Sequence, residues 1–538
     1  MSLQVQGLSY THPNRDILFQ NINFSLSSGD KCAIVGNNGV GKSTLLKIIA
    51  GKIPLVAGKI VCDDTPYLIP QHVGQFNDMT VAETLGLAQK LRSLSVILNG
   101  QGTEEDFVIL NDEWDIQERL SEAFTRWHID HITPDMVMGV LSGGEKTKVF
   151  LAGVDIFHPA IVLMDEPTNH LDTMGRAFLY ESVSRTNRTT IIVSHDRTLL
   201  NMVPAIYEMS TLGVKFYPMN YDAYKKTVDA ETAAKVARLQ NQQKELAKAE
   251  KSAQKTMERQ QKHASRGEKQ STRQCVARIA MGNLRDRSES STSRLNKVQQ
   301  EKLQAMNQQV HEIRASISEH MAMKINIGSS ALHCSKRLVE AINVTFKYAN
   351  RNIMWQQSPL NLSIYSGERI RLQGNNGCGK STLLKLITGA LQPTDGEVLR
   401  CDSLNILYLD QEYSCLDDEL TVYGQLENCN DKKPEHELKM LLNHFLFTDS
   451  AWDKKCGSLS GGERMKLVLC CLLVGENAPD IIIADEPTNN IDISSMDILA
   501  DTLKNYKGTL LIVSHDEQFI QDVGIGRTIN ICDSQALF

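Results

Sequence analysis

Short strands and helices alternate over the two ends of the chain, whereas the middle has a different pattern. Leu3 to Tyr10 and Ile17 to Leu26 are rich in strand-forming residues and are bounded by Gly, Asp and Asn. Lys31 to Val35 is an apolar strand, and an apolar helical run follows from Leu45 to Ala50. Alternation of strands with helices predicts α/β domains built on a parallel sheet.

Two glycine-rich loops follow matching strands in the two halves of the chain. They are Gly36-Asn37-Asn38-Gly39-Val40-Gly41-Lys42-Ser43-Thr44 and Gly374-Asn375-Asn376-Gly377-Cys378-Gly379-Lys380-Ser381-Thr382. Each has the Gly-x-x-x-x-Gly-Lys-Ser spacing of a phosphate-binding loop, in its required strand–loop–helix context. Backbone N–H groups and a helix N-terminus suit phosphate oxygens. We expect Lys42 and Lys380 to contact the β- and γ-phosphates, and Ser43 and Ser381 to ligate Mg²⁺.

Three further motifs follow each loop in the same order. In the first half they are Leu141-Ser142-Gly143-Gly144-Glu145, a strand from Ala160 to Met164 that leads into Asp165-Glu166, and Ser194-His195-Asp196. In the second half they are Leu459-Ser460-Gly461-Gly462-Glu463, a strand from Ile481 to Ala484 that leads into Asp485-Glu486, and Ser514-His515-Asp516. Glutamate and histidine are 29 residues apart in both halves. Singly, these motifs could be a helix-opening turn, a solvated strand end and a structural histidine; their shared order indicates a repeated functional unit.

The middle of the chain predicts two antiparallel helices. Tyr224 to about His263 contains no Gly or Pro and is rich in helix-forming residues. Gly267 then interrupts the pattern, and apolar residues recur at about 3.5-residue intervals from Leu295 onward. We therefore expect an irregular tip over residues 264–293. A first helix of about 40 residues would be about 60 Å long.

The charge of the chain is unevenly distributed. Its formal net charge is −7, but residues 225–324 hold 21 Lys/Arg and 11 Asp/Glu, so this segment carries +10 and the rest carries −17. A basic segment in an acidic protein favours a phosphate-bearing partner. The 12 cysteines form no Cys-x-x-Cys pair, which indicates reduced thiols. We find neither a signal peptide nor an apolar run of about 18 residues, and expect a soluble, cytoplasmic protein.

The motifs in each half resemble those of an ATP-binding cassette domain. Two such domains without membrane spans, joined by a helical linker, resemble the F family of ATP-binding cassette proteins, as does Asn220-Tyr221-Asp222-Ala223-Tyr224 before the linker. The resemblance implies an α/β fold with two tandem ATP-binding cassette (P-loop NTPase) domains joined by a long two-helix linker. The expected boundaries are a first cassette over 1–222, a helical hairpin linker over 223–330 and a second cassette over 331–538.

The resemblance also implies roles for individual residues, with ATP and Mg²⁺ as cofactors. Tyr10 and Phe346 would stack on adenine, with Tyr348 as a second candidate in the second cassette. Gln71 and Gln411 would lie near Mg²⁺ and the attacking water. Ser142, Gly143 and Gly144, and likewise Ser460, Gly461 and Gly462, would contact the γ-phosphate of ATP held by the opposite cassette. The remaining roles are Mg²⁺ support by Asp165 and Asp485, polarisation of water by Glu166 and Glu486, site coupling by Asp172, and switching by His195 and His515.

Members of the resembled family act on ribosomes, so the expected function is an ATPase that binds the ribosome in its ATP-closed state. The linker tip would contact rRNA and tRNA near the peptidyl-transfer region, in translation or in protection from an antibiotic. Seven basic residues of the tip would contact RNA phosphates, although a solvated spacer remains an alternative. They are Arg266, Lys269, Arg273, Arg278, Arg285, Arg287 and Arg294.

Three other functions remain open from the sequence. The chain could be the ATPase subunit of a transporter with a separate membrane subunit, a chromosome-maintenance ATPase or a non-enzymatic ribosome scaffold. Because one chain holds both composite sites, we expect a monomer whose cassettes pair with each other, without a membrane partner.

The two cassettes differ in length at one place. Gln71 and Ser142 are 71 residues apart, whereas Gln411 and Ser460 are 49 apart. The first cassette therefore has 22 extra residues, which include the acidic run Glu104-Glu105-Asp106. We expect a loop or a small helical elaboration here.

Overall fold

The structure is a computed structural model that describes most of the chain. The described residues are 3–11, 17–211, 213–271, 297, 301–310, 335–348, 353–356, 358–374, 377–410, 413–430, 432–445, 447, 449–475, 478–489 and 491–531. Two compact units are present, one formed by Met1–Tyr224 with Ala322–Phe538 and the other by Lys225–Met321. The predictions for Asn375, Asn376, Gln411 and the tip from residue 272 onward lie outside the described residues.

The first cassette contains one mainly parallel sheet and one antiparallel sheet. Its strands are β1 (Leu3–Thr11), β2 (Ile17–Leu26), β3 (Lys31–Val35), β4 (Ala57–Cys62), β5 (Tyr67–Ile69), β6 (Ile161–Asp165), β7 (Thr189–Val193), β8 (Ala205–Ser210) and β9 (Gly213–Tyr217). The larger sheet has the order β5-β6-β7-β3-β8-β9, and the smaller has the order β2-β1-β4. Only the β8–β9 pair is antiparallel in the larger sheet, whereas both pairs of the smaller sheet are antiparallel.

The helices of the first cassette surround these sheets. They are α1 (Lys42–Ile49), α2 (Val81–Thr84), α3 (Ala88–Leu98), α4 (Glu104–Leu110), α5 (Ile116–Arg126), α6 (Gly143–Phe157), α7 (Thr173–Arg185) and α8 (Arg197–Asn201), with short 3₁₀ turns at Val73–Phe76 and Met138–Val140. The central strands β6 and β7 are buried at every position. Such continuous burial is typical of parallel strands covered on both faces.

The second cassette repeats this arrangement. Its strands are β10 (Arg337–Thr345), β11 (Leu360–Tyr365), β12 (Arg369–Gln373), β13 (Asp395–Arg400), β14 (Ile406–Leu409), β15 (Ile481–Asp485), β16 (Thr509–Val513) and β17 (Arg527–Asn530). The sheets have the orders β14-β15-β16-β12-β17 and β11-β10-β13. The helices are α10 (Lys380–Thr388), α11 (Val422–Cys429), α12 (Glu435–His444), α13 (Gly461–Val474), α14 (Ile493–Asn505) and α15 (Glu517–Val523), with 3₁₀ turns at Asp449–Ala451 and Cys456–Ser458. The predicted α/β class and the internal repeat are confirmed.

The extra residues of the first cassette form a small helical elaboration, as expected. Helices α3 and α4 pack against each other, and Thr103 and Asp106 form a capping box at the start of α4. The carboxylate of Asp106 also accepts a hydrogen bond of 2.8 Å from Ser93 Oγ on α3. The acidic run predicted as part of the insertion therefore begins a helix, because carboxylates are favourable in the first turn.

The linker begins with one long helix, α9 (Tyr221–Ser271), numbered between α8 and α10 of the cassettes. Its 51 residues give a length of about 77 Å, longer than the sequence predicted. The expectation that the helix ends near His263 and that Gly267 interrupts it is wrong, since the helix continues to Ser271. One glycine costs a helix only about 1 kcal/mol relative to alanine, which is too little to end a long helical segment. Residues 301–310 are also helical.

Across the described ranges, every helix is too short or too polar to traverse a lipid bilayer.

Candidate active sites between the two cassettes

Neighbouring strands bring the predicted site residues of each cassette together. In the first cassette β6, β7 and β3 are adjacent and parallel, and their carboxyl ends lead into Glu166, His195 and the phosphate loop. The corresponding strands β15, β16 and β12 are adjacent in the second cassette. Ligands of open α/β sheets bind beyond the carboxyl ends of the strands, so both groups of residues lie where a ligand is expected.

The phosphate loops have the backbone geometry that an anion cradle requires. Gly41 and Gly379 precede the helices with φ angles of 98° and 101°, a conformation that glycine adopts readily. A Cβ atom on Gly41 would lie 2.7 Å from the side chain of Leu18. Lys42 Nζ donates to the carbonyl oxygens of Gly36 at 2.6 Å and Asn37 at 3.1 Å, and Lys380 Nζ donates to Gly374 O at 2.6 Å. Each ammonium group therefore lies over its own loop, where phosphate oxygens would be bound.

Side-chain oxygen atoms lie close together beside each phosphate loop. Ser43 Oγ donates to Asp165 Oδ1 at 3.0 Å and lies 3.4 Å from Gln71 Oε1. In the second cassette Ser381 donates a hydrogen bond to Asp485, whose Oδ2 also accepts one from Tyr408 at 3.1 Å. Burial raises the pKa of both aspartates. Hydroxyl, amide and carboxylate oxygens are the donor set that Mg²⁺ prefers, so these residues fit the expected cation.

Glu166 and Glu486 occupy matching strained positions. Their φ angles are 49° and 50°, in the left-handed region that is uncommon for residues other than glycine. Their backbone N–H groups donate to Val193 O at 2.8 Å and Val513 O at 2.9 Å, which fixes this conformation. Backbone strain held by surrounding contacts is concentrated at functional sites.

The side chains of these glutamates are buried and incompletely hydrogen-bonded. Oε1 of each accepts no hydrogen bond within the part of the chain that the structure describes. Burial raises the pKa of Glu166 to about 8 and that of Glu486 to about 7, against the opposing effect of nearby cations. A buried carboxyl oxygen without a hydrogen bond is costly, and a bound water molecule would satisfy it.

A neutral histidine accompanies each glutamate. His195 Nε2 lies 3.3 Å from Glu166 Oε1, and His515 Nε2 lies 3.4 Å from Glu486 Oε1. Burial lowers the pKa of His195 to about 3 and that of His515 to about 4. The imidazoles are therefore uncharged at neutral pH and can donate or accept one hydrogen bond at each nitrogen according to tautomer.

Each site includes residues of the opposite cassette. The N–H of Asn38, in the first phosphate loop, donates to Asp492 Oδ2 at 3.3 Å. A Cβ atom on Gly462, in the second Ser-Gly-Gly motif, would lie 3.7 Å from Asn38 Nδ2. At the other site Thr173 Oγ1 lies 3.4 Å from His515 Nδ1. The structure therefore pairs the two cassettes within one chain, with the first phosphate loop and His515 each against the opposite cassette.

The Ser-Gly-Gly motifs begin the helices α6 and α13. Ser142 and Ser460 form capping boxes with Glu145 and Glu463, in which each serine Oγ accepts from the glutamate N–H. These boxes fix the first turn of the helix, and the following glycines leave its N–H groups accessible to an anion.

The adenine-stacking candidates differ in exposure. Tyr10 is half-buried beside Phe19, with ring centroids 6.2 Å apart. Phe346 is only 8% exposed and belongs to the hydrophobic core, whereas Tyr348 is 37% exposed. The hydroxyl of Tyr348 lies 3.1 Å from Thr382 Oγ1 of the phosphate loop. The geometry therefore favours Tyr348, the second candidate, over Phe346, because a stacking ring needs a free face.

Sequence reasoning missed three residues close to these sites. Thr173 contacts His515, Tyr408 contacts Asp485, and the guanidinium of Arg176 lowers the pKa of Glu486, opposing the larger effect of burial. The signal was present in the repeat itself, since Arg176 and Tyr408 correspond to Met496 and Leu68 when the motifs are aligned. Position-by-position comparison of the two cassettes would have found both differences.

Comparison with known proteins agrees with this architecture. The ABC transporter family profile matches residues 19–169 and 358–489, which together cover more than half of the chain. The chain belongs to the ATP-binding cassette family. Its relatives include members named for the F branch, such as ABC transporter F family member 5 of Arabidopsis thaliana, 27% identical over 96% of this chain and 73% of that protein. The predicted F-branch membership and ATPase activity are confirmed, and the family establishes nucleotide binding.

Two bacterial relatives and one archaeal structure cover most of the chain. The ribosome protection protein VmlR of Bacillus subtilis is 30% identical over 94% of this chain and 82% of that protein. The ATP-binding protein Uup of Haemophilus influenzae is 29% identical over 91% of this chain and 72% of that protein. The structure of the archaeal ribosome recycling factor aABCE1 in complex with the stalk protein aP1 has a TM-score of 0.57 and 18% identity, covering 97% of this chain and 87% of that chain. This last similarity shows the fold alone.

Proposed function

We propose that this F-branch ATPase binds the ribosome with its cassettes closed on ATP and leaves after hydrolysis. The observation that carries this proposal is the pairing of the two cassettes within one chain, with Asn38 against Asp492 and Thr173 against His515. A relative named for ribosome protection supports the choice of partner. The protein would act as a monomer, because both composite sites are supplied by one chain. It would act in the cytoplasm, where its proposed partner is found.

The residues of each site divide the work of hydrolysis. Lys42 and Lys380 would neutralise phosphate charge, and the Ser-Gly-Gly motif of the opposite cassette would donate to the γ-phosphate. Ser43, Gln71 and Asp165, with Ser381, Gln411 and Asp485 in the second cassette, would hold Mg²⁺. That ion supplies charge neutralisation of the phosphates when it is bound.

The glutamates and histidines would handle the attacking water. Oε1 of Glu166 and of Glu486 accepts no hydrogen bond of good geometry from the described residues, so it can accept one from a water molecule and orient it. The neutral imidazoles of His195 and His515 lie on the same carboxylate oxygens and can sense the γ-phosphate by donating a hydrogen bond. Tyr10 and Tyr348 would bind the two adenines.

The linker would bind rRNA and tRNA near the peptidyl-transfer region. Its first helix is about 77 Å long, and residues 225–324 carry a net charge of +10. Basic side chains on such a segment bind phosphates through charge-assisted hydrogen bonds. Adjustment of tRNA or displacement of an antibiotic would follow from that contact.

Replacement of both glutamates tests the proposal. The E166Q/E486Q protein should bind ATP without hydrolysis and should co-sediment with ribosomes in ATP, whereas the wild-type protein should dissociate. A K42A/K380A protein is the matched control, since loss of nucleotide binding should prevent closure and co-sedimentation. Failure of the doubly substituted protein to co-sediment would remove the ribosome from the proposal.

A second experiment tests the linker. Replacement of Arg273, Arg278, Arg285 and Arg287 by Gln should weaken ribosome binding and lower its salt dependence by up to about four charges. The matched control replaces four basic residues of the helix shaft, Lys235, Arg238, Lys244 and Lys248. An unchanged salt dependence for the tip variant would favour a solvated spacer.

A further inference from the structure

Arg176 is a buried arginine that connects elements of both active sites. It lies on α7 and is only 8% exposed. Its Nε donates to Leu171 O at 3.3 Å, and its Nη1 lies 3.4 Å from Asp196 Oδ2. A buried guanidinium requires such partners, because an unpaired charge in the interior is strongly destabilising.

One end of this connection is the histidine loop of the first site. Asp196 follows His195 directly, and its Oδ2 also accepts a hydrogen bond of 2.6 Å from Tyr180 on α7. The same carboxyl group caps α8, since Oδ1 accepts from the N–H of Leu199 at 3.1 Å. A shift of the His195 loop would therefore displace the side chains of Arg176 and Tyr180.

The other end of the connection is the second site. Leu171, whose carbonyl Arg176 holds, precedes Asp172 and Thr173, and Thr173 Oγ1 lies 3.4 Å from His515 Nδ1. The charge of Arg176 also acts on Glu486 and His515 of the opposite cassette. Arg176 is therefore placed to fix the segment of the first cassette that meets the second site.

The second cassette lacks this connection. Alignment of the motifs places Met496 at the position of Arg176 and Ala500 at the position of Tyr180. Asp516 corresponds to Asp196 and keeps the helix cap, with Oδ1 accepting from the N–H of Phe519 at 2.9 Å. A thioether and a methyl group cannot form an ion pair or donate a hydrogen bond to this carboxylate.

We propose that Arg176 is a positioning residue for the second ATP site, because within its own cassette it connects the His195 loop to the segment that meets that site. The His195 loop, Asp196, Arg176, Leu171 and Thr173 form a continuous chain of contacts that ends at His515. The mirror-image chain is interrupted at Met496. This inference rests on the proposed assignment of Glu166 and Glu486 to the two sites.

Site-isolated enzymes test the proposal. In an E166Q background only the second site retains its glutamate, and in an E486Q background only the first does. Arg176→Met in the E166Q background should lower kcat about tenfold with little change in the KM for ATP, because Arg176 acts on geometry and not on substrate binding. The same substitution in the E486Q background should lower kcat by less than about twofold.

Matched variants separate positioning from general destabilisation. R185M removes an exposed arginine of the same helix and should leave both rates unchanged. R176K keeps the charge and should recover part of the second-site rate. R176M/D196N removes both charges, so it avoids an unpaired buried carboxylate and keeps the test valid if R176M alone unfolds. Relative to D196N alone, the double variant should show the same loss of second-site rate.

Different results contradict the role of Arg176 and the proposed function on which it rests. Equal loss at both sites, or no loss at the second site in a folded R176M or R176M/D196N protein, would overturn the proposal. Turnover that persists in E166Q/E486Q would instead contradict the assignment of the glutamates, and therefore the proposed function. In the E486Q background, introducing M496R with A500Y should change the first-site kcat, because these residues would supply the missing contacts to Asp516.

Discussion

The two cassettes share their phosphate chemistry but differ at the surface where they meet. Both have the same phosphate-loop geometry, the same left-handed glutamate and the same neutral histidine. At the interface, however, Arg197 of the first cassette supplies a cation and the second cassette supplies carboxylates. Arg197 of the first cassette contacts Asp497 and Asp522 of the second. The glutamate that corresponds to Arg197, Glu517, instead pairs with Arg371 inside its own cassette.

This difference indicates that the two repeats keep the same arrangement of site residues while their pairing surfaces differ. In a pair of second cassettes Glu517, which corresponds to Arg197, would face Asp497 and Asp522 and place like charges opposite each other. In a pair of first cassettes Arg197 would face Ala177 and Met202 and would lack its carboxylate partners. Like-charge contacts penalise the wrong partner and complementary charges favour the right one. The interface is therefore specified for one first cassette with one second cassette.

We expect the largest effect, a loss of ATP binding, to be equal in the two cassettes. Lys42→Ala and Lys380→Ala should each weaken ATP binding at the altered site by about 100-fold, because each removes the cation beside the phosphates. Titration with a fluorescent ATP analogue measures this change, with the exposed Lys52→Ala as control. A difference of more than about tenfold between the two variants would contradict the equivalence of the phosphate loops.

We expect the next largest effect, a loss of cassette closure, to differ between the equivalent residues Arg197 and Glu517. Arg197→Ala should reduce closure of the cassettes by about tenfold, because it leaves two partly buried carboxylates without their cation. Glu517→Ala should lower the thermal stability of the second cassette without changing closure. Cross-linking between the cassettes in ATP measures closure, and equal loss of cross-linking in both variants would show that Arg197 has no special role.

The pH dependence of stability should be a property that the two buried glutamates share. The pKa of Glu166 is raised to about 8 and that of Glu486 to about 7, above the ordinary value of 4.5. The folded state therefore retains protons that the unfolded state has lost, and these groups reduce stability as the pH rises from about 4.5 to about 8. Glutamine stays neutral, so E166Q and E486Q should be more stable than the wild-type protein at pH 9.

The gain should appear in both variants, since burial raises the pKa of both glutamates. Thermal unfolding of the nucleotide-free proteins at pH 5 and pH 9 measures it. No gain at pH 9, or a gain that is the same at both pH values, would contradict the buried neutral state of these carboxyl groups.

The smallest expected effect concerns Tyr408. Tyr408→Phe removes a hydrogen bond to Asp485 that Leu68 cannot make at the first site. The Mg²⁺ concentration required for second-site turnover should change by about threefold, which corresponds to one hydrogen bond of modest net strength. Turnover in the E166Q background measures it, and the structurally equivalent Leu68→Ala in the E486Q background is the control.

The sequence was sufficient for features that depend on local motifs. The strand–loop–helix units, the parallel sheets and the residues at the strand ends follow from spacing and apolar patterns that need no tertiary information. The prediction that Gly267 interrupts the helix was wrong, because it considered one helix-breaking residue without the many helix-forming residues around it. Phe346 and Tyr348 could not be separated by sequence, since both are aromatic and only packing shows which ring has a free face.

Contacts between the cassettes were beyond sequence reasoning. Nothing near Arg176 in the chain indicates that its charge acts on Glu486, which is 310 residues away. Arg197 likewise gains its partners only when the cassettes pair. Such residues are recognised by comparing equivalent positions, because a charge present in one repeat and absent from the other must be explained by a neighbour.

The left-handed backbone at Glu166 and Glu486 also limits how either site could be lost in evolution. A substitution there must abolish hydrolysis without adding further backbone strain. Glycine, asparagine and aspartate tolerate these φ angles, and glutamine adds no strain beyond that of the glutamate it replaces, whereas valine, isoleucine and threonine do not tolerate them. In descendants of this protein with one silent site, we therefore expect the glutamate to be replaced by a residue from that short set, a constraint imposed by chain geometry before any selection on chemistry.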